Sequence, residues 1–146
     1  MSKLADDLHD ALTAARKSKL KDRTQLLGTV LAALKNKELE LKRAPTDDDT
    51  IDVLQKGVKL RREAVEQYAK AGREDLAGKE RAEILIIEEF LPPAADPEEI
   101  RLAVRAAIAG GAGDIGKVMG RVVPLFKGRA DGKVIQQIAR TELSLG

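Results

Sequence analysis

The sequence is poor in the residues on which most active sites are built. In 146 residues it has no Cys, no Trp and one His, at position 9. Without cysteine there is no disulfide framework, thiolate zinc site, iron–sulfur cluster or thiol nucleophile, as in proteins of reducing compartments. A single histidine excludes the usual His-based zinc sites. Aromatics are limited to Phe90, Phe126 and Tyr68, so the chain cannot present the rows of stacking rings used by single-strand binders and many RNA-reading sheets. Any contact with nucleic acid has to rest on backbone and shape. Long hydrophobic runs are also lacking: none approaches the length of a bilayer span, so no membrane partner is expected. Residues 1–20 alternate charge with leucine instead of forming a secretory apolar core, and the location expected from this is the cytoplasm.

What is present is enough for a folded chain. A hydrophobic content of 43% beside 34% charged residues supports a core and is too apolar for a disordered segment. The net charge of +2 hides an uneven distribution. Residues 1–43 carry 10 Lys+Arg against 6 Asp+Glu, residues 44–91 carry 8 against 12, residues 92–113 carry 2 against 3, and residues 114–146 carry 6 against 3. Two basic ends therefore flank an acidic middle.

Apolar residues recur at helical spacing almost throughout, and no alternating β-branched run competes, so the fold class is all-α. A first helix is predicted over Lys3 to Ser18, with Leu4, Leu8, Leu12 and Ala15 on one face. A second is predicted from a cap at Asp22 to the Ala44-Pro45 break. Thr46 followed by Asp47, Asp48 and Asp49 reads as a helix start, a hydroxyl cap with carboxylates that complement the dipole. The third helix carries a seam of Ile51, Leu54, Val58, Arg61, Val65 and Tyr68 that faces partner helices, and it ends at Ala71-Gly72. The fourth runs from Arg73 to Leu91, with Leu76, Ile84, Ile87 and Leu91 on its apolar face.

Pro92-Pro93-Ala94-Ala95 has no periodicity and two residues that cannot continue a helix, so it is read as a linker. The organisation expected is a four-helix N-terminal domain over residues 1–91 and a small three-helix domain over residues 96–146. Asp96-Pro97-Glu98-Glu99 starts the fifth helix as cap, first-turn proline and two acids. Gly110, Gly111 and Gly113 end it. The sixth begins at Asp114 and carries Val118, Met119, Val122 and Phe126; the seventh begins near Asp131. A separate core is marginal at about 50 residues, so this part either packs tightly on itself or leans on its neighbour.

Catalytic groups are hard to assemble from these residues. His9 lies off the leucine face with no second histidine, cysteine or hydroxyl partner within reach along its helix, and reads as a solvated surface side chain. Glu88 and Glu89 occupy adjacent helix positions about 100° apart and do not converge as an acid–base pair. The run Asp47-Asp48-Asp49 is explained by capping, so no metal is implied. No Gly-rich loop precedes Lys-Ser or Lys-Thr, which excludes a P-loop. The segment from Asp114 to Lys133 is different. Gly116 and Gly120, one turn apart, would let a helix or a phosphate backbone approach closely. The turn Lys127-Gly128-Arg129-Ala130-Asp131-Gly132-Lys133 then places three cations and two flexible glycines before a helix start, a composition suited to phosphate oxygens.

The same residues carry a resemblance. Gly116-Lys117-Val118-Met119 followed by Lys127-Gly128-Arg129-Ala130-Asp131-Gly132-Lys133-Val134 resembles the tail domain of GatB, the tRNA-binding subunit of the glutamine-dependent tRNA amidotransferase. Upstream, Ala69-Lys70-Ala71-Gly72-Arg73-Glu74-Asp75-Leu76, Lys79-Glu80, Ile87-Glu88 and Phe90-Leu91-Pro92 are similar to the free-standing YqeY proteins, which join a helical domain to that tail. The resemblance covers essentially the whole chain. It implies an all-helical two-part fold and tRNA contact by the tail through Lys117, Arg121, Lys127, Arg129 and Lys133, with Gly116, Gly120, Gly128 and Gly132 allowing close approach. Arg73, Glu74 and Asp75 read as a cap and hinge salt-bridge cluster.

The family label attached to this domain is a carbon–nitrogen ligase with glutamine as amide donor. The amidotransferase, however, uses a separate ATP-using domain and a serine–lysine amidase, and this chain shows neither site. No cofactor is implied. The function expected is therefore a non-catalytic, tRNA-binding or amidotransferase-related accessory protein, its tail tracking phosphates by charge and its basic first two helices offering a second contact. The runner-up is an adaptor docking its third-helix seam and basic tail on a protein of tRNA aminoacylation or amide transfer; a share in amide transfer itself is the weakest reading.

Overall fold

Most of the helices begin where a short polar side chain covers their first amides. A computed structural model describes residues 2–146. Among them are seven α-helices and no strand: α1 (Lys3–Lys17), α2 (Lys21–Leu41), α3 (Asp47–Lys70), α4 (Glu74–Glu88), α5 (Pro97–Ala109), α6 (Ile115–Val122) and α7 (Gly132–Leu145), with a 3-10 turn at Val123–Phe126 between α6 and α7. The all-α class stands. Ser2, Asp96, Asp114 and Asp131 each accept a hydrogen bond from an amide of the turn they cap. Thr46 and Asp49 form a reciprocal capping box on α3. Arg43 donates to Asp49 at 2.7 Å and holds its carboxyl well below the usual carboxylate range, which ties the α2–α3 connection to that cap.

Two helix boundaries differ from the sequence reading. α2 starts at Lys21, with Leu20 in the cap position and no side-chain cap, so Asp22 lies inside the first turn. α4 ends at Glu88, before Leu91, because Glu89 and Phe90 turn back to the carbonyls of Ile86 and Ile87. Phe126 is not on α6 itself. Pro124 interrupts the α-helical ladder, and the 3-10 turn delivers the ring to the core.

The chain divides into two compact units at Leu91 and Pro92. In the first, Leu8, Leu12, Leu26, Leu27, Leu54, Val58 and Ile87 are buried together. The α3 seam is therefore used inside the bundle, with Arg61 reaching Glu83 at 2.9 Å and the Gly57 carbonyl at 3.1 Å. A Cβ on Gly57 would stand 3.3 Å from the Arg61 guanidinium and in ordinary contact with Ile87 at 3.6 Å, so the missing side chain leaves room for Arg61 to fold back on α3. At the other end of α3, Ser2 Oγ, 4% exposed, donates to Asp47 and meets the fully buried Thr50 hydroxyl at 2.9 Å. Asp47 titrates below its usual range, first because of Ser2 and then through the Leu4 amide.

The second unit packs on itself. Ile100, Val104 and Ala107 of α5, Val118 and Val122 of α6, Phe126, and Ile135 and Ala139 of α7 form one buried cluster. On the opposite edge of the same packing, Arg105 of α5 donates to Glu142 of α7 at 3.0 Å.

Candidate functional site

The basic tail is built from two connections, one at each end of α6. At its start, Asp114 caps the helix by accepting from the Lys117 amide at 2.9 Å, and the exposed Lys117 ammonium lies 3.9 Å from the same carboxylate. Arg121 turns back across α5. Its Nη1 donates to the carbonyls of Gly110 at 3.0 Å and Ala107 at 3.3 Å, satisfying the open end of α5. Gly116 and Gly120 are exposed. A Cβ at Gly120 would meet nothing within 4 Å, and one at Gly116 would meet only the Asp114 carboxylate, at 3.4 Å. Among the described residues no helix packs against this stripe, so close helix packing does not account for either glycine.

The second connection carries Lys127, Gly128, Arg129, Gly132 and Lys133. Gly128 has φ +75°, a left-handed conformation that L side chains rarely adopt. Lys127 is half-buried, whereas Lys133, in the first turn of α7, is exposed beside the Asp131 cap. Arg129 points inward. Its Nη1 and Nη2 reach the two oxygens of Glu99 at 3.0 and 2.9 Å, its Nε donates to the Pro93 carbonyl at 3.1 Å, and its guanidinium lies 5.8 Å from the centre of the Phe126 ring. Its carbonyl also accepts from the Ala95 amide at 2.7 Å. The residues Pro93 to Ala95 are thus held on this turn. Arg129 depresses the Glu99 titration below the usual range.

The five cations of the sequence reading therefore divide. Lys117, Lys127 and Lys133 carry charge at or near the surface, while Arg121 and Arg129 direct their donors to carbonyls and a carboxylate of their own unit. A phosphate at Arg129 would have to compete with Glu99.

Elsewhere, groups that could do chemistry do not converge. Glu89 reaches Arg23 at 2.9 Å, and Glu88 lies 3.5 Å from Arg62, so the adjacent carboxylates pair with different helices. Arg23 also covers Phe90, at 5.8 Å from its ring centre. Arg73 and Asp75 pair at 3.1 and 3.2 Å, and Glu74 pairs with Arg81 at 2.8 Å; Arg73 takes the cap position of α4 with no side-chain cap bond, so these residues are ion pairs and not the cap read from the sequence. His9 is exposed at the edge of a cleft of about 190 Å³ beside Asp6, Lys35 and Glu38. A larger groove of about 590 Å³ lies between α2 and α3, floored by Val30 and Leu54 and rimmed by Lys37, Glu40, Asp52 and Lys56. Arg61 also lines it but is held by Glu83, and the remaining charges are of both signs, so the groove selects no class of charged ligand. Among the described residues no group of three or more His, Cys, Asp or Glu could hold a metal ion, and no helix is long and apolar enough to cross a membrane.

Comparison with known proteins adds a family. Residues 5–143 match the family described as Yqey-like protein. The chain is 38% identical over 81 residues to an uncharacterized protein of Schizosaccharomyces pombe, a stretch covering 56% of this chain and 66% of that one. It is 37% identical over 100 residues to altered inheritance of mitochondria protein 41, mitochondrial, of Vanderwaltozyma polyspora, covering 66% of this chain and 52% of the relative. A protein of the same name in Pyrenophora tritici-repentis is 30% identical over 135 residues, 89% of this chain and 72% of the relative. The chain thus spans between about half and two-thirds of the length of the first two. These names correct the cytoplasmic placement, since those relatives are called mitochondrial. The physical reason for the error is simple. A lack of long apolar runs excludes helical membrane spans and carries no information about which aqueous compartment holds a chain.

Proposed function

Because this chain belongs to the YqeY-like family across residues 5–143, we propose that it is a non-catalytic accessory protein that contacts tRNA phosphates through the unit beginning at Pro92. The observation that carries this reading is the arrangement around α6. Lys117 and Lys133 are exposed and Lys127 half-buried in a segment of 6 Lys+Arg against 3 Asp+Glu. Arg121 and Arg129 fix the backbone that presents them. The exposed glycine stripe at Gly116 and Gly120 gives a sugar–phosphate backbone room to approach. With about three phosphate contacts, binding is weak and falls steeply with salt.

A salt titration of binding to unfractionated tRNA tests the proposal. The expected result is an affinity that drops as salt rises and is lost when Lys117, Lys127 and Lys133 are changed together to alanine. Binding by that variant equal to wild type would show that the tail is not the contact.

A second reading, a protein adaptor on an enzyme of tRNA aminoacylation or amide transfer, is favoured by one observation. Val123, Leu125 and Val134 are 38%, 63% and 44% exposed around the same turn, a mixed apolar and basic surface of the kind proteins bury. A partner retained from extract after nuclease treatment, and lost on Leu125→Ser, would favour the adaptor over the RNA contact.

A further inference from the structure

The densest unpaired positive charge lies in the other unit. Between α1 and α2, Arg16, Lys17, Lys19 and Lys21 are all exposed, and among the described residues none of their side chains has an ion-pair or hydrogen-bond partner. Arg23 is the neighbouring cation that is tied down, to Glu89, and Asp22 is the one carboxylate in the turn.

Arg16 and Lys17 suit the last turn of α1, where cations complement the dipole, but the fold does not ask for lysine at positions 19 and 21. The turn closes as a Schellman motif, with the Leu20 amide bonded to the Ala15 carbonyl at 3.0 Å, and Lys19 occupies the left-handed position at φ +56° where glycine is the usual choice. Leu20 takes the cap position of α2 without covering an amide, and its side chain is 51% exposed. Lys21 puts a cation at the positive end of a 21-residue helix. Three consecutive residues thus depart from what local folding prefers, and two of the departures, Lys19 and Lys21, add positive surface. Such departures are expected where a surface is kept for a ligand.

We infer that the α1–α2 turn is a second RNA-backbone contact, in which Arg16, Lys17, Lys19 and Lys21 track phosphates without reading bases. The inference rests on the reading that the partner is RNA, and it narrows the basic charge of the first two helices to the one turn whose cations are unpaired. A nucleic-acid backbone fits better than a bilayer because Leu20 is the one apolar side chain exposed at the tip, too little to anchor a membrane surface.

The test compares two variants of the full chain, Lys19→Gly with Lys21→Gln, and the tail triple Lys117→Ala, Lys127→Ala, Lys133→Ala. The turn variant removes a strained side chain and an unfavourable helix-end charge, so it is expected to melt no lower than wild type. Its binding to unfractionated tRNA is expected to weaken by about tenfold or more at low salt, with the salt slope reduced by about 2. If the turn variant binds with unchanged affinity and slope while the tail triple does not bind, the turn is a solvated surface and the tail reading survives. If the turn variant fails and the tail triple binds normally, the turn contact stands and the tail reading falls. Wild-type protein that ignores tRNA but binds vesicles of phosphatidylcholine and phosphatidylglycerol through the turn would overturn the inference in favour of a membrane.

Discussion

Arg129 and Glu99, 30 positions apart, meet fork to fork, with Nη1 3.0 Å from Oε2 and Nη2 2.9 Å from Oε1. The pair joins the α6–α7 turn to the first turn of α5, and the Arg129 Nε adds the Pro93 carbonyl. Lysine cannot reproduce this two-pronged geometry. Arg129→Lys is expected to lower the melting temperature of the C-terminal unit by a few degrees near neutral pH, followed by circular dichroism. Because Glu99 titrates below its usual 4.5 in the folded state, the pair stabilises above that value and loses its effect as pH falls through the lowered one. The gap between variant and wild type should therefore narrow as pH falls through the lowered Glu99 titration. A gap that persists in acid would assign the loss to something other than the ion pair.

Gly120 offers a separation of fold from function. Its missing Cβ faces open space inside α6, so Gly120→Ala should stabilise the unit by about 0.5–1 kcal/mol through helix propensity. If the stripe admits a phosphate backbone, the same change weakens tRNA binding. A variant that is more stable and binds unchanged would remove the glycine from the contact.

Ile135 is 1% exposed at the centre of the second core. Ile135→Ala should cost about 2–4 kcal/mol, enough to melt a unit of this size at moderate temperature. Amide exchange would show protection lost from Pro92 onward and kept in α1 to α4. Uniform loss across the chain would mean that the two cores do not unfold separately.

Thr50 has no exposure, and its one hydroxyl proton is shared between the Thr46 carbonyl and Ser2 Oγ, whose own proton goes to Asp47. Thr50→Val keeps the shape and removes that hydroxyl, so unfolding in urea should show a loss of about 1–2 kcal/mol. No loss would mean that Asp47 alone satisfies Ser2.

Much of the fold is legible in local signals of the sequence. Thr46, Asp96, Asp114 and Asp131 announce their helices because a cap acts within three residues. The buried sets on α1 and α3 follow because periodicity reports the face that is covered; on α4 Ile84 and Ile87 follow, whereas the buried Ala77 does not and Leu91 lies past the helix end. What the sequence does not convey depends on distant partners. Arg129 and Arg121 look like free cations in the chain, and their engagement with Glu99 and with the end of α5 appears only once remote segments meet. Gly116 and Gly120 have a spacing that permits packing, but spacing does not say whether anything arrives. The four cations near Lys19 are visible as charge, counted with the first 43 residues; what gives them meaning is the left-handed turn and the missing cap, which are properties of the backbone. The compartment is not legible, because apolar content reports on bilayers alone.

Tyr68 sits half-buried on α3, and the chain has no Trp. Its two other rings, Phe90 and Phe126, emit too weakly to follow. Intrinsic fluorescence of this protein is therefore the signal of one phenol in the N-terminal unit. A melting curve read by emission would leave the unit from Pro92 onward optically silent, whatever happened to it. A tryptophan introduced at the exposed Leu125 would give that half its own spectroscopic voice.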